Sequence, residues 1–251
     1  MKFHLLFKLF FFITVLKACE SSISYNDDNL NIYRGESNND LIFEENINSL
    51  SDSPFSFIAL GDSYTIGEGV NVEDRWPNQF VDLANENGFD FDQPVIIAET
   101  GWKTYDLLDS INQTNFSSKY DYISLLIGVN NQFNSRPIHE FEEDLNKLMN
   151  EMKRIKKDDG SIIIISIPDW GYTPFAESVE MSDISEKIDL FNSSLIKFAA
   201  TNDLKYVDVT EISRRAINEP NLITDDNLHP SETMYLESVS YTHLRAHETT
   251  P

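Results

Sequence analysis

From Phe55 onward, short apolar runs alternate with segments whose apolar residues recur every three or four positions, the pattern of strand, helix, strand repeated. The runs predict strands at Ser56–Leu60, Val95–Ala98, Tyr122–Ile127, Ile162–Ile167 and Tyr206–Val209. Between them, Trp76-Pro77 opens a helix with Phe80, Leu83 and Ala84 on one face and Gly88 to close it. Thr104 is placed to cap a short helix carrying Leu107, Leu108 and Ile111. Ile138, Phe141, Leu145, Leu148, Met152 and Ile155 stripe a long helix stopped at Gly160. Asp183 and Glu186 form a candidate capping box ahead of Ile184, Ile188, Phe191, Leu195 and Phe198. Alternation of this kind predicts an α/β fold: a three-layer α/β/α sandwich around a five-stranded parallel sheet.

The two ends read differently. Met1–Ala18 has the pattern of an export signal, with Lys2 and Lys8 ahead of an apolar segment, Leu9 to Leu16, too short to span a bilayer. The only cysteine, Cys19, excludes an intramolecular disulfide and a cysteine-based zinc site. Leu16-Lys17-Ala18-Cys19 resembles a bacterial lipoprotein box, in which the cysteine is lipidated and becomes the new amino terminus; Lys17 departs from that pattern. An ordinary secreted protein and an uncleaved anchor are the alternatives. Residues 19–54, rich in Ser, Asn, Asp and Glu, read as an acidic tether, with Leu41-Ile42-Phe43 as a candidate extra edge element. The folded domain is then 55–238. Residues 239–251 resemble the translation of a sequencing-library adapter and are expected to be artefactual, so the pair His243 and His247 is given no metal-binding role.

A net charge of −23, becoming −26 once Lys2, Lys8 and Lys17 are removed with the signal, disfavours nucleic acid backbones and anionic lipid surfaces as partners. It fits an exported protein, periplasmic or at the cell surface.

Candidate chemistry lies at the predicted strand ends, which in a parallel sheet all open on one side. Gly61-Asp62-Ser63-Tyr64 follows the first strand, Gly101 the second, Gly128-Val129-Asn130-Asn131 the third, and Asp226-Asn227-Leu228-His229 the fifth. A serine hydroxyl needs an imidazole to take its proton, and the imidazole needs a carboxylate to fix its tautomer. Asp226 and His229, three apart, can supply both, while Pro230 biases His229 toward an extended backbone. Asn130 offers an amide, and Gly101 and Ser63 offer backbone N–H groups, to negative charge developing on a substrate oxygen. Tyr64-Thr65 after Ser63 excludes the Gly-x-Ser-x-Gly elbow, and no Lys-Ser/Thr follows the glycines as a phosphate loop requires.

These four places resemble the four blocks of the SGNH (GDSL-type) hydrolases, esterases and lipases on a flavodoxin-like three-layer fold, over nearly all of Phe55 to Tyr235. The resemblance implies Ser63 as nucleophile, Asp226 and His229 as its triad partners, and Ser63, Gly101 and Asn130 as oxyanion donors. Tyr64 stands where the family has Leu, and Asn131 where Asp usually follows the asparagine; both departures bear on substrate shape more than on reaction type. Asp62 reads as a structural hydrogen-bonding residue. Trp102 and Trp170 are candidates to line a substrate pocket, and Trp76 reads as core. The expected activity is an extracytoplasmic serine esterase or deacylase acting through an acyl-enzyme, without metal or organic cofactor, on a small-molecule, lipid or acylated-glycan ester. Its rival is a surface lipoprotein that binds glycan or lipid without turnover.

Overall fold

The computed structural model describes residues 53–178 and 183–245, with side chains as far as Ser240. The export signal, Cys19 and most of the tether lie outside them. Five strands, β1 (Phe57–Gly61), β2 (Val95–Ala98), β3 (Tyr120–Leu126), β4 (Lys156–Ile165) and β5 (Lys205–Val207), form one sheet in the order β2-β1-β3-β4-β5. Every pairing is parallel. β1 is buried along its whole length, as its unbroken apolar run requires of a central strand covered on both faces.

Right-handed crossovers settle where the helices go. The chain steps from β1 to β2 on one side, then crosses back over β1 to β3 and continues outward to β4 and β5. The helix after β1, α2 (Trp76–Glu86), therefore packs on one face, beside the last helix, α9 (Glu232–Arg245). α3 (Thr104–Gln113), α5 (Ile138–Ile155) and α7 (Ile184–Thr201) cover the other, α5 touching both of its neighbours. The result is the expected three-layer α/β/α sandwich. Four short helices complete the chain: α1 (Ser63–Ile66), α4 (Val129–Phe133), α6 (Pro174–Ser178) and α8 (Thr210–Arg214).

Several boundaries differ from the sequence reading. β4 begins at Lys156 rather than Ile162, because the register jumps from Tyr120 opposite Lys156 to Tyr122 opposite Ser161 and the residues between bulge out. The Lys156 ammonium closes that bulge by donating to the carbonyls of Lys157, Asp158 and Gly160. Thr104 is the first residue of α3, not its cap; Lys103 holds the cap position, its N–H donating to Asp106 Oδ2 at 2.9 Å. No capping box forms at α7: Asp183 takes a left-handed conformation, φ 64°, and its side chain makes no cap hydrogen bond.

Candidate active site

The order β2-β1-β3 places a switch point at the carboxyl ends of β1 and β3, where the following segments leave toward opposite faces and open a crevice. β1 runs straight into Asp62 and then α1, whose first residue is Ser63. Asp62 caps that turn: its Oδ1 accepts the Tyr64 N–H at 3.1 Å and its carbonyl accepts Thr65 N–H and Ile66 N–H. Oδ2 has no hydrogen-bond partner among the described residues. Full burial therefore pushes the Asp62 carboxyl up to about 7, against the lowering pull of the backbone N–H groups around it.

After β3 the chain turns into α4 at Gly128, φ 128°. A Cβ there would lie 2.7 Å from Phe141 Cε2 and 2.9 Å from Ile167 Cδ1, so only glycine lets the backbone pass close enough to the core to deliver Asn130 to the crevice. Asn130 Nδ2 donates to the Trp102 carbonyl at 3.0 Å, which ties α4 to the Gly101 turn and leaves the second amide hydrogen to offer elsewhere. That turn is closed by Trp102 N–H to the Glu99 carbonyl, with Gly101 at φ 85° and open space where its Cβ would be. Neither Ser63 N–H nor Gly101 N–H has a protein acceptor among the described residues. Trp102 is half-buried at the rim.

Asp226 and His229 meet as the sequence predicted. His229 Nδ1 and Asp226 Oδ2 are 2.6 Å apart, so the ring proton sits on Nδ1 and Nε2 keeps the lone pair. Asp226 Oδ1 accepts from Leu228 N–H, His229 N–H and the Thr224 hydroxyl at 2.8, 2.9 and 2.7 Å. Partial burial opposes the charge on Asp226, yet the His229 N–H and ring, Thr224 and Leu228 outweigh it and hold the carboxyl at about 2. The imidazole is largely buried and meets the ring of Tyr64, the residue after Ser63, edge-on with centroids 5.9 Å apart. No hydrogen bond joins Ser63 Oγ to the imidazole among the described residues. In unliganded enzymes such contacts are commonly long and tighten when substrate arrives.

Two of the sequence assignments need correcting. Trp170 is 1 % exposed: its indole Nε1 donates to Gln132 Oε1 at 2.8 Å and its ring packs on Phe133 and Phe175, so it braces α4 from beneath instead of facing substrate. Asn131 is fully buried and hydrogen-bonded to Thr104, so its departure from the usual Asp bears on how the Gly101 loop is held, not on substrate shape. Thr224 was not singled out by sequence, although a hydroxyl residue two positions before an acid in a loop is the available signal.

The fold and this crevice define a hydrolase site of the serine type on a parallel α/β sheet. The GDSL-like lipase/acylhydrolase family model matches residues 59–236, and the chain belongs to that family. It is an ester-hydrolysing serine hydrolase. No curated protein matches it. Among solved structures, an acetylxylan esterase, Axe2, from Geobacillus stearothermophilus is 18 % identical, with 77 % of this chain and 94 % of that one covered and a TM-score of 0.60. TesA is 15 % identical over 76 % and 98 %, TM-score 0.59. A member of the lipolytic G-D-S-L family from Veillonella parvula DSM 2008 is 18 % identical over 78 % and 99 %, TM-score 0.58.

Proposed function

We propose that the protein is an exported serine esterase that removes short acyl groups, with Ser63, His229 and Asp226 as its triad. Ser63 Oγ attacks the ester carbonyl carbon while His229 Nε2 takes the hydroxyl proton, and the charge on the carbonyl oxygen falls to Ser63 N–H, Gly101 N–H and the free Asn130 amide hydrogen. The carbon–oxygen bond to the alcohol then breaks, His229 returns the proton to that oxygen, and an acyl-enzyme remains. Water, deprotonated by the same nitrogen, attacks the acyl carbon and releases the acid and Ser63. Asp226, ionised throughout, holds the ring and steadies it when charged.

The geometry around His229 supports this reading: Nδ1 is locked on a low-pKa carboxylate and the ring lies against the side chain next to Ser63, while the Ser63 and Gly101 N–H groups have no protein acceptor among the described residues. The short acyl group is read from the likeness to an acetylxylan esterase. Export and lipidation at Cys19 rest on the pattern of Met1–Cys19.

A fluorophosphonate probe should label the wild type and not Ser63→Ala, and p-nitrophenyl acetate should be turned over faster than the octanoate. Equal labelling of both proteins would end the triad reading; preference for the longer ester would end the short-acyl one. Palmitate incorporation lost in Cys19→Ala tests the anchor.

A further inference from the structure

Two consecutive asparagines grip the loop between β2 and α3 at different points. Asn130 holds the Trp102 carbonyl, as described. Asn131 holds Thr104 twice: its Oδ1 accepts the Thr104 N–H at 3.0 Å and its Nδ2 donates to Thr104 Oγ1 at 2.8 Å. Thr104 Oγ1 in turn donates to Asp144 Oδ2 at 2.8 Å, and Lys147 Nζ reaches Asp144 Oδ1 at 3.0 Å. Asn131 and Thr104 are fully buried and Asp144 nearly so.

Every direction in this chain is forced. An ionised carboxylate only accepts, so the Thr104 hydroxyl must spend its one hydrogen on Asp144 and meet its other neighbour as an acceptor. The neighbour must therefore donate. Asn131 does; an ionised aspartate, the residue usual at this place in the family, could not. It would leave one hydroxyl hydrogen between two buried carboxylates. The Thr104 N–H needs an acceptor on the same side chain, which fixes the amide the other way round as well.

Resting on the oxyanion role given above to Gly101 and Asn130, we propose that Asn131 and Thr104 are positioning residues for that donor set, and that Asp144 dictates an amide at position 131. They fasten the far end of the loop that Asn130 fastens at Trp102. The Gly101 N–H and the Asn130 amide are thereby held in one fixed relation, which a developing oxyanion requires.

The test is a charge-reversal cycle read by kcat, KM and melting temperature on p-nitrophenyl acetate. Asn131→Asp should lower kcat about 10-fold or more, since small displacements of catalytic donors are costly, with KM within about twofold. The charges around this network among the described residues include Asp144 and Lys147, Glu143 and Arg136 around Lys147, and the Lys103–Asp106 pair on the first turn of α3. The ratio of variant to wild-type activity should rise as pH falls, because the introduced carboxyl, once protonated, can donate again. The double variant Asn131→Asp/Asp144→Asn reverses the polarity of the whole chain and should recover kcat to within about threefold of wild type. Thr104→Ser should keep activity and Thr104→Val should lose it. A merely structural network would move melting temperature alone, leaving kcat per folded molecule and its pH ratio flat; that result overturns the proposal, as does a double variant no better than Asn131→Asp. A wild type inert toward esters would overturn the esterase reading itself and this role with it.

Discussion

Gly69 and Thr224 pack so closely that a Cβ on the glycine would lie 3.0 Å from the Cβ, Cγ2 and Oγ1 of the threonine. Gly69 belongs to the loop after Ser63, and Thr224 is the residue whose hydroxyl donates to Asp226. The loop that follows Ser63 therefore abuts the hydroxyl that holds Asp226. At φ 84° Gly69 also has a backbone that alanine tolerates poorly. Gly69→Ala should cost about 1–2 kcal/mol from conformation alone, seen as a melting temperature lower by several degrees. Turnover should fall further than the stability loss explains, as Thr224 is pushed off Asp226. Thr224→Val, which removes only the hydroxyl, should reproduce the kinetic part without the conformational one.

Asp226→Asn separates charge from geometry. The amide oxygen can still accept from Leu228 N–H, His229 N–H and Thr224, so the loop should keep its shape. Its NH2 would then face His229 Nδ1 and force the ring proton onto Nε2, the nitrogen that the proposed mechanism uses as base. A fall in kcat of about 10³–10⁴-fold with melting temperature nearly unchanged is expected. A loss below tenfold would show that Asp226 does little for the imidazole.

The central strands were legible because β1 is covered on both faces and so is apolar without interruption, and because only Ser124 breaks the apolar run that begins at Tyr122 in β3. The order of the four site segments along the chain was legible too, because parallel topology sends every strand end to one edge. What escaped were choices made by tertiary partners. An indole at a strand end looks alike whether it faces substrate or core, and Trp170 was settled by Gln132, distant in sequence. Thr104 has the chemistry of a helix cap, but Asn131 and Asp144 took its N–H and hydroxyl, and Lys103 capped in its place. The start of β4 depended on a lysine ammonium satisfying three carbonyls, which no periodicity announces.

The two tryptophans should part company on mutation. Trp170→Phe keeps most of the packing against Phe133 and Phe175 but leaves Gln132 Oε1 buried without its donor, on a side chain whose Nε2 already lacks a partner among the described residues. The cost should be about 1–3 kcal/mol of stability with KM little changed. Trp102→Ala, at the half-buried rim beside Gly101, should raise KM and spare the melting temperature. The reverse pattern would restore Trp170 to the substrate face.

Asp62 and Asp226 pull stability in opposite directions with pH. Asp226 is held at about 2 in the folded chain against 3.8 for an ordinary aspartate, so its contribution is complete above about pH 4 and is lost as pH falls toward 2. Asp62 stands at about 7, so between pH 4 and 7 the folded state keeps a proton that the unfolded chain has released. Raising pH through that window therefore favours unfolding, and past 7 the buried carboxylate carries its full penalty. Asp62→Asn preserves an acceptor for the Tyr64 N–H and removes the ionisation. The variant's melting temperature relative to wild type should accordingly climb as pH rises from 4 to 8, and level off above that. A difference constant across the range would mean that Asp62 is ionised in the folded protein at all these pH values, against the effect of its burial.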